Sequence, residues 1–334
     1  MRVMLNGLGR IGKHVLRELL DRPGGVEVVA ANDPAGDPEQ HALLMEFDSV
    51  HGRWHRACRA EGETLILGEA RLPLGRERAI EGLDLAGIDA VLDCTGHFKT
   101  AERIAPYWTA GVGHVLVSAP VKDGDALNLV YGVNHDLWSP DRRLVTAASC
   151  TTNCLAPVIA VLRETFGIAH GSFTTIHDVT NTQTIVDRPH KDPRRARSAI
   201  QNLVPTTTGS AKAIMAIFPD LEGRLTGHAV RVPLLNASLT DIALEMARDV
   251  TVEAVHDAIR AAEAGPMAGI LGLEERPLVS TDFRGDRRSA VVDALSTRVV
   301  RDRHLKMYVW YDNEMGYAVR MADIARMMAR GLGA

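Results

Sequence analysis

Residues 7–12 read Gly7-Leu8-Gly9-Arg10-Ile11-Gly12. They follow the short apolar run Arg2-Val3-Met4-Leu5-Asn6 and open a stretch in which Ile11, Val15, Leu16, Leu19 and Leu20 recur at helical spacing. Strand, glycine turn and helix in that order predict a dinucleotide-binding βαβ unit. Each glycine has its own task there: Gly7 permits the tight turn, Gly9 lets the backbone approach a pyrophosphate, and Gly12 lets the helix pack close to the strand. The helix N-terminus offers N–H groups to the anion. A second strand, over 26–31, runs into Asn32-Asp33. Asp33 stands about 20 residues past the turn, where an acid bonds the adenosine ribose hydroxyls and repels the extra phosphate of NADP. The expected cofactor is therefore NAD.

Outward from this unit the βαβ rhythm continues. Strand-like runs at 89–94 and 114–118 flank a helical stretch at 100–110, and a further strand is expected over 143–148. Residues 51–80 are more polar and suggest an antiparallel excursion. After 150 the rhythm changes. Long strand candidates at 172–177, 239–246, 289–294 and 305–311 come with fewer helices, which predicts a mainly antiparallel second domain of α+β character. A last amphipathic run, 318–329, is expected to pack back on the first domain. No internal repeat or low-complexity tract interrupts the chain.

Composition limits the function classes. The 334 residues suit two domains, each able to bury a core. A net charge of −4 gives no broad field for nucleic acid. The cysteines, 58, 94, 150 and 154, have neither a small-domain disulfide pattern nor paired CxxC spacing, so a reducing compartment without structural zinc is expected. The chain opens directly on a strand-like run, leaving no room for a signal peptide, and no apolar run is long enough to cross a bilayer. A cytoplasmic protein with no metal, no nucleic acid and no membrane partner is expected.

The chemistry is carried by Ala148-Ser149-Cys150-Thr151-Thr152-Asn153-Cys154, between the strand at 143–148 and a helix expected past Pro157. A thiol before a helix N-terminus faces the positive end of the dipole, which favours the thiolate. His177 ends another strand-like run, Thr174-Thr175-Ile176, and is followed by Asp178; an imidazole beside Cys150 would hold the thiolate and shuttle a proton. On its own, one of 13 histidines proves little. Pro205-Thr206-Thr207-Thr208-Gly209 clusters hydroxyls and a backbone amide suited to a tetrahedral anion, or forms a simple turn before a helix from Ser210. The basic run from His190 to Arg197 reads equally as a solvated loop or an interface.

With these motifs in one order along one chain, joined by GHAVRVP and WYDNEMGY, the sequence resembles phosphorylating glyceraldehyde-3-phosphate dehydrogenases over essentially its whole length. The resemblance implies an α/β chain: a Rossmann-type NAD-binding domain at 1–149, an α+β catalytic domain with a mainly antiparallel sheet at 150–314, and a C-terminal helix at 315–334 returning to the first. It implies Cys150 as nucleophile and His177 as acid and base. Thr180 and Arg231 would bind the C3 phosphate of glyceraldehyde 3-phosphate. Ser149, Thr151, Thr208 and Gly209 would bind the attacking inorganic phosphate or arsenate, with Arg195 nearby. Gly7, Gly9, Arg10, Ile11, Gly12, Asp33, Thr95 and Ser118 would contact NAD, and Asn313 would hold the nicotinamide carboxamide. A homotetramer is implied, with the loop around 180–200 near a neighbour's cofactor.

Leu8 stands for the usual Phe of the glycine turn and Met315 for the usual Trp of NEWGY, which touches cofactor packing rather than chemistry. A narrower resemblance comes from the segments 32–37, 47–54, 177–183 and 237–241: they look like the branch found in arsenic-resistance operons, thought to make 1-arseno-3-phosphoglycerate for an adjacent exporter. The alternatives are an erythrose-4-phosphate or other semialdehyde dehydrogenase of the same superfamily, or a non-catalytic dinucleotide-binding regulator. The intact TTTG segment favours the phosphorylating enzyme over the first.

Overall fold

The structure, a computed structural model, describes residues 1–333 apart from 122 and 124. The chain forms two compact units, one of Met1–Ser149 with the segment from Tyr317 onward, the other of Cys150–Gly316.

The first unit is built on a nine-stranded sheet. Leu127–Asn128, Leu144–Thr146, His114–Val117, Ala90–Asp93, Arg2–Asn6, Glu27–Asn32 and Ala70–Gly75 lie side by side in parallel. Thr64–Leu67 and Cys58–Glu61 extend the edge antiparallel, as the polar 51–80 stretch suggested. Val3, Leu5, Val91, Leu92, Val115 and Leu116 are buried, as expected of strands covered on both faces. From Arg2–Asn6 the chain moves to one side for Glu27–Asn32 and later returns on the other at Ala90–Asp93. That reversal of strand order is where open α/β sheets bind their ligands, at the carboxyl ends of the strands. Gly7 and Ser118 directly follow such ends, and Thr95 stands two residues past the one at Asp93. The helix Met315–Leu332 contributes most of its length to this unit: Arg326 donates to the Glu18 carboxylate at 2.9 Å, and the Tyr317 hydroxyl donates to the Ala148 carbonyl at 3.2 Å.

The second unit carries a seven-stranded sheet in the order Val204–Thr206, Leu225–Arg231, Ile168–His177, Ser238–Met246, His304–Tyr311, Ala290–Val300, Leu271–Glu274. Two neighbouring pairs are parallel and the rest antiparallel. Ser238–Met246 alternates buried and half-buried residues along its whole length, the period of a strand with one face on a core. Helix Cys150–Phe166 packs on this sheet with Val252–Ala264 beside it.

One expectation is corrected. The helix predicted past Pro157 begins at Cys150 and runs through Pro157 to Phe166. Thr151, Thr152, Asn153 and Cys154 are buried in it, so tertiary packing overrides their weak helix propensity and the hydrogen bond lost at the proline. Cys150 therefore sits in the first helical turn, not before it. Ala148, two residues earlier, takes the left-handed conformation at φ 52°, an uncommon state for a residue with a Cβ and one that turns the chain sharply into the helix.

Candidate functional site

His177 and Arg231 close two parallel neighbouring strands and are register partners, so both side chains issue from the same sheet end. The Cys150 Sγ lies 3.6 Å from His177 Nε2. On the other side of the ring, Nδ1 is 2.6 Å from Asp178 Oδ1, 2.9 Å from the Asp178 carbonyl and 2.7 Å from Arg231 Nη1. A guanidinium only donates, so a protonated Nδ1 cannot take its hydrogen bond. The consistent arrangement has Nδ1–H donating to the Asp178 carboxylate, while Arg231 Nη1 donates to the Asp178 carbonyl at 2.8 Å.

Burial opposes charge on both members of the thiol–imidazole pair, and their mutual attraction outweighs it. His177 is pushed up to about 9 against desolvation by its bonds to Asp178 and Cys150. The Cys150 thiol is held below its ordinary value, again against desolvation, by the bond to His177 and its positive charge. Between those ionisations the pair is thiolate and imidazolium. Cys154, in the same helix, behaves oppositely: burial pushes its thiol up with no cation to offset it. Geometry thus separates a thiol paired with an imidazole from a packed thiol four residues on.

The expected anion groups gather only in part. Arg231 carries a buried Nε with no hydrogen-bond partner, a donor left for an anion. Arg195 is close enough to disfavour its charge, and Arg195 Nε donates to Thr206 Oγ1 at 3.0 Å. Thr206 lies on the strand paired with the one that ends in Arg231. Thr208 and Gly209 lead into helix Ser210–Ile217, where the Ser210 amide donates to Thr208 Oγ1 at 3.2 Å. Thr151 Oγ1 is bonded to the Tyr311 hydroxyl at 2.9 Å, and Ser149 is half-buried just before Cys150. Thr180 sits in a turn closed by Gln183, with its amide donating to Oε1 at 2.8 Å. Thr180 and Thr208 make their bonds within their own turns rather than with the Cys150–His177 pair.

In the first unit the three glycines of the turn have different surroundings. Gly7 has φ 95°, and a Cβ there would meet the Thr95 amide nitrogen at 2.7 Å. At Gly12 a Cβ would fall 1.9 Å from the Gly7 carbonyl oxygen, whereas at Gly9 it would meet nothing within 4 Å. Open space over Gly9 is a cradle that a side chain would fill, consistent with a pyrophosphate approaching the backbone. Asp33 braces the turn, accepting from the Leu8 amide at 2.8 Å and the Ala35 amide at 2.9 Å. Thr95 is held by Asp93 through its amide and hydroxyl, and Ser118 by the Asp93 carbonyl. Arg10 forms a two-pronged pair with Asp48, beside the half-buried Ile11.

Behind His177, sequence reasoning gave Asn313 a role through the family resemblance and gave none to Asp178 or Ser238. Asp178 Oδ1 accepts from Ser238 Oγ at 3.0 Å, and Asp178 Oδ2 accepts from Asn313 Nδ2 at 3.0 Å. Asn313 Oδ1 is buried without a partner, an acceptor that fits the N–H group of a carboxamide. Asp178 was visible as an acid next to the histidine; Ser238 and Asn313 lie far along the chain, and nothing local links either to Asp178.

A dinucleotide-type glycine turn in one unit and a thiolate–imidazolium pair in the other are the equipment of an oxidoreductase that works through a cysteine. The chain belongs to the glyceraldehyde 3-phosphate dehydrogenase family. Residues 1–101 match that family's NAD binding domain and residues 149–313 its C-terminal domain. The chain is 51% identical to glyceraldehyde-3-phosphate dehydrogenase 3 of Nostoc sp., with 99% of each chain covered. It is 44% identical to the Geobacillus stearothermophilus glyceraldehyde-3-phosphate dehydrogenase over 98% of each chain. The Kitasatospora aureofaciens enzyme of the same name is 45% identical over 98% of this chain and 99% of that one. The cofactor is NAD. No helix among the described residues is long and apolar enough to cross a membrane.

The brace formed by Asp33 gives a first prediction. Asp33→Ala removes the carboxylate expected to repel a 2′-phosphate and also the acceptor of the Leu8 amide. NADP use should rise while the KM for NAD increases, read as the ratio of kcat/KM for the two cofactors. An unchanged ratio would remove the discriminating role from Asp33.

Proposed function

We propose that the protein oxidises glyceraldehyde 3-phosphate with NAD and inorganic phosphate or arsenate, through a thioester on Cys150. The observation that carries this reading is the 3.6 Å approach of Cys150 Sγ to a histidine braced by Asp178, whose backbone carbonyl in turn accepts from Arg231. The Cys150 thiolate attacks the aldehyde carbon, and the new alkoxide is stabilised by the His177 imidazolium and the Cys150 backbone N–H. The imidazolium gives its Nε2 proton to that alkoxide, and the neutral ring then takes the hemithioacetal hydroxyl proton back at Nε2 as the thioester forms. NAD, when bound, supplies the hydride acceptor. Residues 7–12 would hold its pyrophosphate, Asp33 its ribose, and Asn313 Oδ1 its carboxamide. Phosphate or arsenate, bound by Ser149, Thr151, Thr208 and Gly209 with Arg195 nearby, attacks the thioester carbonyl. The acyl–oxygen bond forms, the carbon–sulfur bond breaks, and Cys150 leaves as thiolate. Arg231 with Thr180 would hold the substrate's own phosphate, and the unpartnered Arg231 Nε supports that role.

A homotetramer fits this reading, because Ile185 and Val186 are 70% and 71% exposed in the single chain on the loop assigned to a subunit contact. The physiological role proposed is arsenate detoxification, on the strength of the segments at 32–37, 47–54, 177–183 and 237–241. A site of hydroxyl and amide donors reads tetrahedral shape and charge, which arsenate shares with phosphate. NADH formation from glyceraldehyde 3-phosphate, with and without each anion, tests the activity: turnover independent of both would refute it. For the role, deletion of the gene should raise arsenate sensitivity while growth on glucose continues, and the gene should adjoin an organoarsenical exporter. Arrested glycolysis with unchanged arsenate tolerance would leave the ordinary glycolytic assignment.

The two anion sites should fail differently. Thr208→Ala should raise the phosphate requirement, and Arg231→Leu should mainly raise the KM for the phosphorylated aldehyde. Losses of about 1.5–3 kcal/mol are expected for a hydrogen bond to a charged group. Indistinguishable kinetic profiles would collapse the two sites into one.

A further inference from the structure

The buried groups behind the catalytic pair carry more than support. Asp178 is 1% exposed, yet its carboxylate serves three side chains in one place. Oδ1 faces His177 Nδ1 at 2.6 Å and accepts from Ser238 Oγ at 3.0 Å, while Oδ2 accepts from Asn313 Nδ2 at 3.0 Å. The Ser238 hydroxyl also accepts from the Asp178 backbone amide at 3.2 Å, which fixes the residue at both ends. A carboxylate only accepts, so the amide of Asn313 must turn its nitrogen toward it and its oxygen away. That oxygen is the buried acceptor left without a partner.

We propose that Asp178 is a positioning residue for both halves of the reaction: one oxygen fixes His177 with its proton on Nδ1, so that Nε2 faces Cys150, and the other fixes Asn313 with its carbonyl oxygen presented to the nicotinamide carboxamide. This rests on the reading of Cys150, His177 and Asn313 given above. An aspartate behind an imidazole sets its tautomer and stabilises its cation without itself reacting. In the wrong tautomer Nε2 would carry the proton and could not act as base. The same carboxylate also couples the base to the cofactor, because a shift of Asp178 away from His177 necessarily moves the partner of Asn313.

The charged and titratable groups facing His177 come from each packed element: Cys150 from helix Cys150–Phe166, Arg231 from strand Leu225–Arg231, Tyr311 from strand His304–Tyr311, and Asp178 itself. Of these, Asp178 and Cys150 favour the imidazolium and Arg231 disfavours it. Removing the Asp178 charge must therefore lower the pH at which His177 loses its second proton.

Asp178→Asn tests this with readouts that a merely structural residue would not move. The alkaline limb of kcat/KM against pH should shift down by about one unit, and kcat should fall about 10- to 100-fold. The dissociation constant for NAD, measured by fluorescence without substrate, should rise. Ser238→Ala should move each quantity in the same direction by less. An NMR titration of ¹⁵N-histidine-labelled wild type needs no Asp178 variant, using His177→Asn for assignment: neutral His177 should carry its proton on Nδ1. A proton on Nε2, or an alkaline limb and NAD affinity unchanged in a folded Asp178→Asn protein, overturns the proposal. Failure of the functional reading is distinct, since it would appear as an ordinary, unactivated Cys150 in iodoacetamide alkylation of the wild type.

Discussion

Cys150→Ser should abolish turnover while leaving NAD binding intact. A serine hydroxyl in this place has the hydrogen-bond partner and the helix N-terminus but not the acidity, so at neutral pH it supplies almost no anion to attack the aldehyde. The loss should put activity below detection, beyond the roughly 10²–10⁴-fold expected from a single proton-transfer group. NAD titration should be unaffected, because the glycine turn, Asp33, Thr95 and Ser118 belong to the first unit, and Asn313 in the second is held by Asp178 rather than by Cys150. Cys154→Ser is the control. Its thiol is fully buried and pushed up by burial, with a hydrogen bond to Thr240 as a partial offset. A serine there keeps the bond to Thr240 and buries a more polar atom, so a stability loss of about 1 kcal/mol without loss of kcat is expected. Equal losses of activity from both substitutions would contradict the choice of nucleophile.

The first unit was more legible in the sequence than the second, for a physical reason. A βαβ turn is local: strand, glycines and helix are contiguous, and the steric demands on Gly7 and Gly12 are met by residues nearby or on the adjoining strand. The reactive centre is assembled from helix Cys150–Phe166 and the ends of three strands. His177 could be proposed because it closes a visible strand, but its register with Arg231 depends on a parallel pairing that no local pattern announces. The helix start was missed because Thr151, Thr152 and Asn153 have turn chemistry and Pro157 reads as a boundary; only burial in the fold makes them helical. Nothing in the local pattern marks Asp178 as the partner of the ring it follows. Alternation would point it away from His177, yet the strand ends at His177, and the turn that follows brings the carboxylate back against the ring.

Loss of the imidazole should be nearly as damaging as loss of the thiol, and it should show itself in a different way. His177→Asn removes the hydrogen bond and the positive charge that hold Cys150 below its ordinary value, leaving burial as the dominant influence. The thiol must then move up, so the pH profile of alkylation by iodoacetamide should shift to alkaline pH and the rate at neutral pH should fall. Turnover loses the proton acceptor as well, and a decrease of about 10²–10⁴-fold in kcat is expected from that alone. The sign of the wild-type profile follows from the same pair. His177 is raised to about 9, so the imidazolium partner persists through neutral pH and is lost only as the pH passes that value. Activity that depends on the ion pair should therefore rise as Cys150 ionises, hold through neutral pH, and decline above about 9. In His177→Asn the alkaline decline should vanish, because the group that causes it is gone, and the remaining slow rate should climb with pH as the thiolate forms. A variant that retained the wild-type alkylation profile would show that the helix N-terminus, not His177, activates the cysteine.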